Sequence, residues 1–164
     1  MIKCMTIIIL GVAGSGKSTV GTLLAHDLAW EYLDADDFHS ASNRNKMQSG
    51  HPLNDHDRRG WLTSIQAALV ENYQSGKSVV LACSALKETY REMLRKNPNT
   101  RFVYLSGTFA QIEERLDHRR GHYMSSKLLA SQFEILEEPE YAITIDISNT
   151  PAEIVELIRK GYDL

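Results

Sequence analysis

The segment Gly11-Val12-Ala13-Gly14-Ser15-Gly16-Lys17-Ser18 fits G-x-x-x-x-G-K-[ST], the spacing of a phosphate-binding loop. Its glycines let the main chain wrap an anion without Cβ clashes. Inward-turned amides and the start of the following helix supply partial positive charge. In this pattern Lys17 reaches the β- and γ-phosphates of a nucleoside triphosphate, and the Ser18 hydroxyl ligates Mg²⁺. Gly11, Ala13, Gly14, Ser15, Gly16, Lys17, Ser18 and Thr19 are thus the expected ATP-binding residues of the loop.

A second group of reactive side chains is Asp34-Ala35-Asp36-Asp37. Asp34 and Asp36 end a predicted strand, and residues two apart on a strand share a face. One carboxylate, Asp34, can hold Mg²⁺ through water. The other, Asp36, can accept the proton of an attacking hydroxyl or orient that hydroxyl in line. Many P-loop ATPases draw a carboxylate from the third strand. Here that strand ends Ala82-Cys83-Ser84-Ala85, so strand two must supply the acid groups. Asp146, between Ile145 and Ile147, reads as the outward position of a buried strand. Asn45-Lys46-Met47-Gln48 lacks the aspartate that guanine recognition would want. The basic segment His118-Arg119-Arg120-Gly121-His122 suits a mobile lid, at about 118–127, that brings cations over the γ-phosphate and excludes water.

The elements that must position these groups alternate strand and helix. Thr6–Leu10 is a β-branched run, and Val20, Leu23, Leu24 and Leu28 follow at helical spacing. Trp30–Leu33 is strand two, and Phe38–Asn54 is a polar stretch. Asn54 or Asp55 caps a helix with Trp61, Leu62, Ile65 and Leu69 inside, closed by Gly76. Ser78–Cys83 is strand three. Ser84 is placed to cap the next helix, with Leu86, Tyr90, Met93 and Leu94. Arg101–Leu105 is strand four. Thr108 caps a helix with Phe109, Ile112 and Leu116, and Leu128–Leu136 is helical again. Ala142–Ile147 is strand five. Thr150-Pro151-Ala152-Glu153 reads as a capping box before a helix using Ile154, Leu157 and Ile158. The expectation is an α/β fold, a five-stranded parallel sheet sandwiched by helices in a P-loop kinase arrangement, with ligands at the carboxyl ends of the strands.

At 164 residues the chain suits one domain. An apolar content of 43% and a charged content of 24% are ordinary for a globular protein. A net charge of −3 argues against a broad nucleic-acid footprint, and no stretch approaches a membrane span. Cys4 and Cys83 read as free thiols of a reducing compartment, which makes the cytoplasm the expected location. Cys83 reads as a buried small residue, and Trp61 and Tyr90 as core.

Further motifs carry a resemblance that runs nearly end to end. They are Leu33-Asp34-Ala35-Asp36-Asp37-Phe38-His39, Asn43-Arg44-Asn45-Lys46-Met47, Pro52-Leu53-Asn54-Asp55-His56-Asp57-Arg58 with Trp61-Leu62, Cys83-Ser84-Ala85-Leu86-Lys87, Arg119-Arg120-Gly121-His122-Tyr123-Met124 and Ser131-Gln132-Phe133-Glu134. In that order they resemble the gluconokinase family. The resemblance implies ATP-dependent phosphorylation of D-gluconate on its 6-hydroxyl, the nucleoside-monophosphate-kinase and shikimate-kinase fold, and homodimers. It implies Arg119 as the transition-state cation, Arg115 near the adenine, and Arg58 on the substrate carboxylate, with Lys46 second.

Residue chemistry agrees in part. A sugar acid needs cations for its carboxylate and mixed donors and acceptors for its hydroxyls, and His39, Arg44, Lys46, Asp57 and Arg58 supply both. Asp36, His39, Lys46, Arg58, Ser84, Ala85 and Gln132 are the expected substrate contacts. Ser84 has a second reading as a plain helix cap, and Arg115 as the plain solvent face of its helix or as a partner of Glu113 or Glu114. Two other functions stay open: a kinase of another small acceptor, such as shikimate or a different sugar acid, and a nucleotide-binding regulatory protein without transfer activity.

Overall fold

A computed structural model describes residues 3–119 and 126–164. Its sheet contains β1 (Thr6–Leu10), β2 (Glu31–Asp34), β3 (Val79–Ala82), β4 (Thr100–Ser106) and β5 (Ile143–Asp146), in the order β2-β3-β1-β4-β5. All neighbours pair in parallel. The central strand explains its own composition. Ile7 and Ile9 enter one core and Ile8 and Leu10 the other, so every residue of β1 is buried.

Helices cover both faces. They are α1 (Lys17–Leu28), α2 (Ala41–Gln48), α3 (Asp55–Gln74), α4 (Glu88–Leu94), α5 (Phe109–Asp117), α6 (Ser126–Ile135) and α7 (Pro151–Gly161). The core with Ile7 and Ile9 takes side chains from α1, α5, α6 and α7, and the core with Ile8 and Leu10 takes those of α3 and α4. The expected five-stranded parallel architecture is present. β1 lies between β3 and β4, so the chain leaves β1 for one flank of the sheet and β3 for the other. This reversal opens a crevice beyond the strands' carboxyl ends.

Caps with a local signature were legible. Asn54 accepts from the Asp57 amide and Asp57 returns the bond, and Thr108 and Gln111 do the same. The Thr150 box is only half formed: Thr150 accepts from the Glu153 amide, and Glu153 takes its hydroxyl. Four details differ from expectation. The polar stretch contains α2, capped by Ser40, which buries only Asn43 and Met47 and so shows no apolar period. Leu157 is 43% exposed, and Val155 takes its place inside. Phe109 lies at the surface against Phe133. Ser84 caps nothing, because α4 begins four residues later, behind Lys87.

The segment between β3 and α4 is held instead by a buried cation. Arg91 is 1% exposed. Its Nη1 donates to the Ala85 carbonyl and its Nη2 to the Glu137 carbonyl, each at 2.8 Å. Its Nε donates to Glu88 at 3.1 Å and to the Tyr141 hydroxyl at 2.9 Å. Ala85 there adopts a left-handed φ of 40°. Arg91→Met should cost about 3 kcal/mol, because it strands the buried Ala85 carbonyl and removes a paired buried charge. The check is the urea midpoint at unchanged m-value; a loss below about 1 kcal/mol would show that the loop does not need Arg91.

Candidate active site

At the carboxyl edge of the sheet lies a cleft of about 620 Å³. The loop after β1 forms one wall. Gly14 and Gly16 have φ of 79° and 96°. The left-handed backbone of Gly14 favours glycine, and a Cβ there would press on Leu116 Cδ2 at 3.0 Å. Ala13, Gly14, Gly16, Lys17, Ser18 and Thr19 line the cleft, while Gly11 and Ser15 are buried behind it. Lys17 folds back so that Nζ donates to the Val12 carbonyl at 2.9 Å. Burial pulls its pKa down, against the attraction of Asp36 and Asp34.

β2 ends at Asp34, and a single 3₁₀ turn, Ala35–Phe38, carries Asp36. The two carboxylates therefore meet through a turn rather than through the pleat. Asp34 Oδ1 accepts from the Asp36 amide at 3.0 Å. Asp34 Oδ2 accepts from the Ser18 hydroxyl at 2.8 Å and the Tyr32 hydroxyl at 3.1 Å. A hydroxyl and a carboxylate side by side are hard oxygen donors of the kind Mg²⁺ takes when it keeps several waters. Ser18 and Asp34 thus fit the expected ion.

The Asp36 side chain is 68% exposed in the open cleft, where a ligand would cover it. The protein around it still holds its carboxyl above the ordinary range, desolvation being the largest cause. Lys17 opposes this, and Asp34 and Asp37 add to it. The turn is fixed from below: Trp61 Nε1 donates to the Ala35 carbonyl at 2.7 Å. His39 stacks on Trp61, with centroids 4.3 Å apart and planes 11° apart. Arg44 donates to the Asp36 carbonyl at 2.9 Å.

The remaining expected residues separate into two groups. Arg58, Ser84, Gln132 and Arg119 line the cleft with Asp36 and His39. Gln132 Oε1 accepts from the Ala13 amide at 2.8 Å, tying α6 to the phosphate loop. Lys46 and Ala85 do not line it. Lys46 is bound to Asp57 at 2.6 Å, and Ala85 is wholly buried, with its carbonyl given to Arg91. Neither Ser84 nor Ala85 stands at a helix start, because α4 begins at Glu88. Arg115 lies beside Gly16 and donates to the Ile147 carbonyl at 2.6 Å, so it pairs with neither Glu113 nor Glu114. Lid residues 120–125 lie outside the described residues.

Sequence reasoning missed three aromatic groups. Tyr32, Trp61 and Tyr90 each pack like core residues, and each also uses its polar atom at the cleft. Only the apolar part of such a ring leaves a periodic signal. Cys83 is buried and its thiol is pushed up to about 12, so it is no nucleophile at neutral pH. Cys4 and Cys83 are both free. Among the described residues, no helix is long and apolar enough to cross a membrane.

Strand order, phosphate loop and paired carboxylates together define a P-loop kinase. A family model described as shikimate kinase matches residues 13–158. The chain is 48% identical to a probable gluconokinase of Rattus norvegicus, over 81% of this chain and 82% of that protein. It is 42% identical to the thermoresistant gluconokinase of Escherichia coli K12, covering 94% and 93%. The crystal structure of a gluconokinase from Sinorhizobium meliloti 1021 superposes with a TM-score of 0.83 at 39% identity, covering 94% and 89%. The chain belongs to the gluconokinase family, among the shikimate-kinase-like P-loop kinases.

Burial, together with the positive charges of Arg44 and Arg58, lowers the His39 pKa from 6.5 to about 4. Above pH 6.5 the imidazole is neutral folded or unfolded. Between pH 6.5 and about 4 the unfolded chain binds a proton that the folded chain refuses. Stability therefore falls as pH drops through that window. Urea unfolding of the wild type and of His39→Gln across the window should converge toward the acid end. Parallel curves would show that His39 is not held neutral.

Proposed function

We propose that the chain transfers the γ-phosphoryl group of ATP to the 6-hydroxyl of D-gluconate, giving 6-phospho-D-gluconate and ADP. The observation that carries this is Arg58. It lines the same cleft as Lys17, Asp34 and Asp36, and no carboxylate pairs with it among the described residues. A half-buried guanidinium with open donors is suited to a ligand carboxylate. Lys46, the second choice, is already neutralised by Asp57.

In this scheme the loop amides and Lys17 hold the ATP phosphates, Asp36 orients the attacking hydroxyl and receives its proton, and Arg119 supplies charge to the transferring phosphoryl group. Thr19 and Arg115 complete the nucleotide side, and His39, Ser84 and Gln132 face the sugar hydroxyls. Mg²⁺, held by Ser18 and by Asp34 through water, would neutralise the phosphate oxygens. The gluconokinase relatives support the acceptor assignment. Free buried thiols are compatible with a cytoplasmic enzyme. Homodimer assembly and closure of a lid over residues 118–127 belong to the same proposal.

ADP release with Mg²⁺-ATP should be strong with D-gluconate and near background with shikimate, nucleoside monophosphates or no acceptor. Asp36→Asn should lower kcat by about a hundredfold or more while the ATP KM stays within a few-fold. Turnover with another acceptor alone would overturn the substrate. ATP binding without turnover on any acceptor would favour a regulatory protein instead.

A further inference from the structure

The hydroxyl of Tyr90 occupies an unusual place for a residue that is 6% exposed. It donates to Asp55 Oδ1 and accepts from Arg58 Nη1 at 3.2 Å. Asp55 and Arg58 stand three residues apart on the first turn of α3, the spacing at which opposite charges on a helix pair directly. Here they do not. The phenol, reaching over from α4, lies between them. Asp55 turns instead to Lys87, whose Nζ is 3.1 Å from Oδ1. The ammonium of Lys87 and the guanidinium of Arg58 each sit 5.6 Å from the centre of the Tyr90 ring. Burial and the bond to Asp55 hold the phenol above its ordinary range, so it stays protonated and keeps both hydrogen bonds. The guanidinium is thus fixed at one nitrogen, and among the described residues nothing binds its Nε and Nη2, on a side chain that lines the cleft.

Given Arg58 as the carboxylate ligand proposed above, on which this rests, we infer that Tyr90 is a positioning residue for the acceptor. Its hydroxyl, backed by Asp55 and Lys87, keeps Arg58 from collapsing onto Asp55 and aims it at the substrate carboxylate. Without the hydroxyl, Arg58 can close onto Asp55, and the site loses the charge that selects an acid over a neutral polyol. Packing alone does not require this, because phenylalanine would fill the same space.

The test uses steady-state kinetics of the full chain with Tyr90→Phe, Asp55→Asn, Arg58→Ala and the Tyr90→Phe/Arg58→Ala double variant. Thermal unfolding of each confirms that it folds. Tyr90→Phe should raise the gluconate KM about tenfold, with kcat and the ATP KM changing far less. Inhibition by D-glucitol, the neutral analogue, should hardly change. Asp55→Asn weakens the acceptor of the Tyr90 hydroxyl but also removes the competing charge, so its gluconate KM should rise less than that of Tyr90→Phe. The double variant should be no worse than Arg58→Ala alone, since Tyr90 acts through Arg58. If Arg58→Ala raises the gluconate KM while Tyr90→Phe leaves it unchanged, or if the two effects simply add, Tyr90 has no positioning role and the carboxylate assignment stands. If Arg58→Ala leaves the gluconate KM unchanged, the carboxylate assignment itself fails and this inference with it.

Discussion

The Lys17 ammonium rests on the Val12 carbonyl at 2.9 Å, and much of the site depends on holding that charge there. Burial disfavours it, and Asp36 on the turn and Asp34 at the end of β2 offset part of the penalty. The carboxylates are in turn fixed by short bonds: Asp34 to Ser18, Tyr32 and the Asp36 amide, and the Asp36 turn to Trp61 through the Ala35 carbonyl. A parallel sheet makes this meeting possible. The carboxyl ends of β1 and β2 open on one edge, with β3 between them. The loop and the acidic turn therefore face each other, although neither strand pairs with the other.

Around that centre lies a layer of aromatic residues with polar edges. Trp61 carries the turn and stacks under His39, and Tyr90 separates Asp55 from Arg58. Each joins α3 or α4 to a cleft group, so the helices that bury the second core also set the cleft's geometry. Arg91 does the same for the segment after β3, where Ser84 enters the wall. Packing and site construction are one task here, performed by the same side chains.

How much of this could be read from the chain depends on how local each signal is. The phosphate loop, the five strands and the Asn54 cap are written in neighbouring residues or in a short period, and they were legible. α2 was not, because it buries only Asn43 and Met47 and is otherwise polar. Ser84 offered a cap residue at a plausible distance, but Arg91 holds the Ala85 carbonyl, Ala85 is left-handed, and the helix starts only behind Lys87. The Trp61 bond to Ala35 spans 26 positions and the Tyr90 bond to Asp55 spans 35, so no local pattern announces either. Lys46 and Arg58 look alike as cations in a polar stretch. Only the fold reveals that Asp57 occupies one and leaves the other open.

The proposed scheme, with the acceptor carboxylate on Arg58 and the attacking hydroxyl at Asp36 and Lys17 across the same cleft, sends the phosphoryl group to the end of gluconate remote from its carboxylate. Proton-coupled ³¹P spectroscopy of the product reads this directly, because phosphorus on a primary carbon couples to two protons and on a secondary carbon to one. A single phosphomonoester triplet is expected from gluconate and Mg²⁺-ATP. A doublet would place the phosphate on a secondary hydroxyl, and would contradict the arrangement of Arg58, Asp36 and Lys17 around one extended sugar acid.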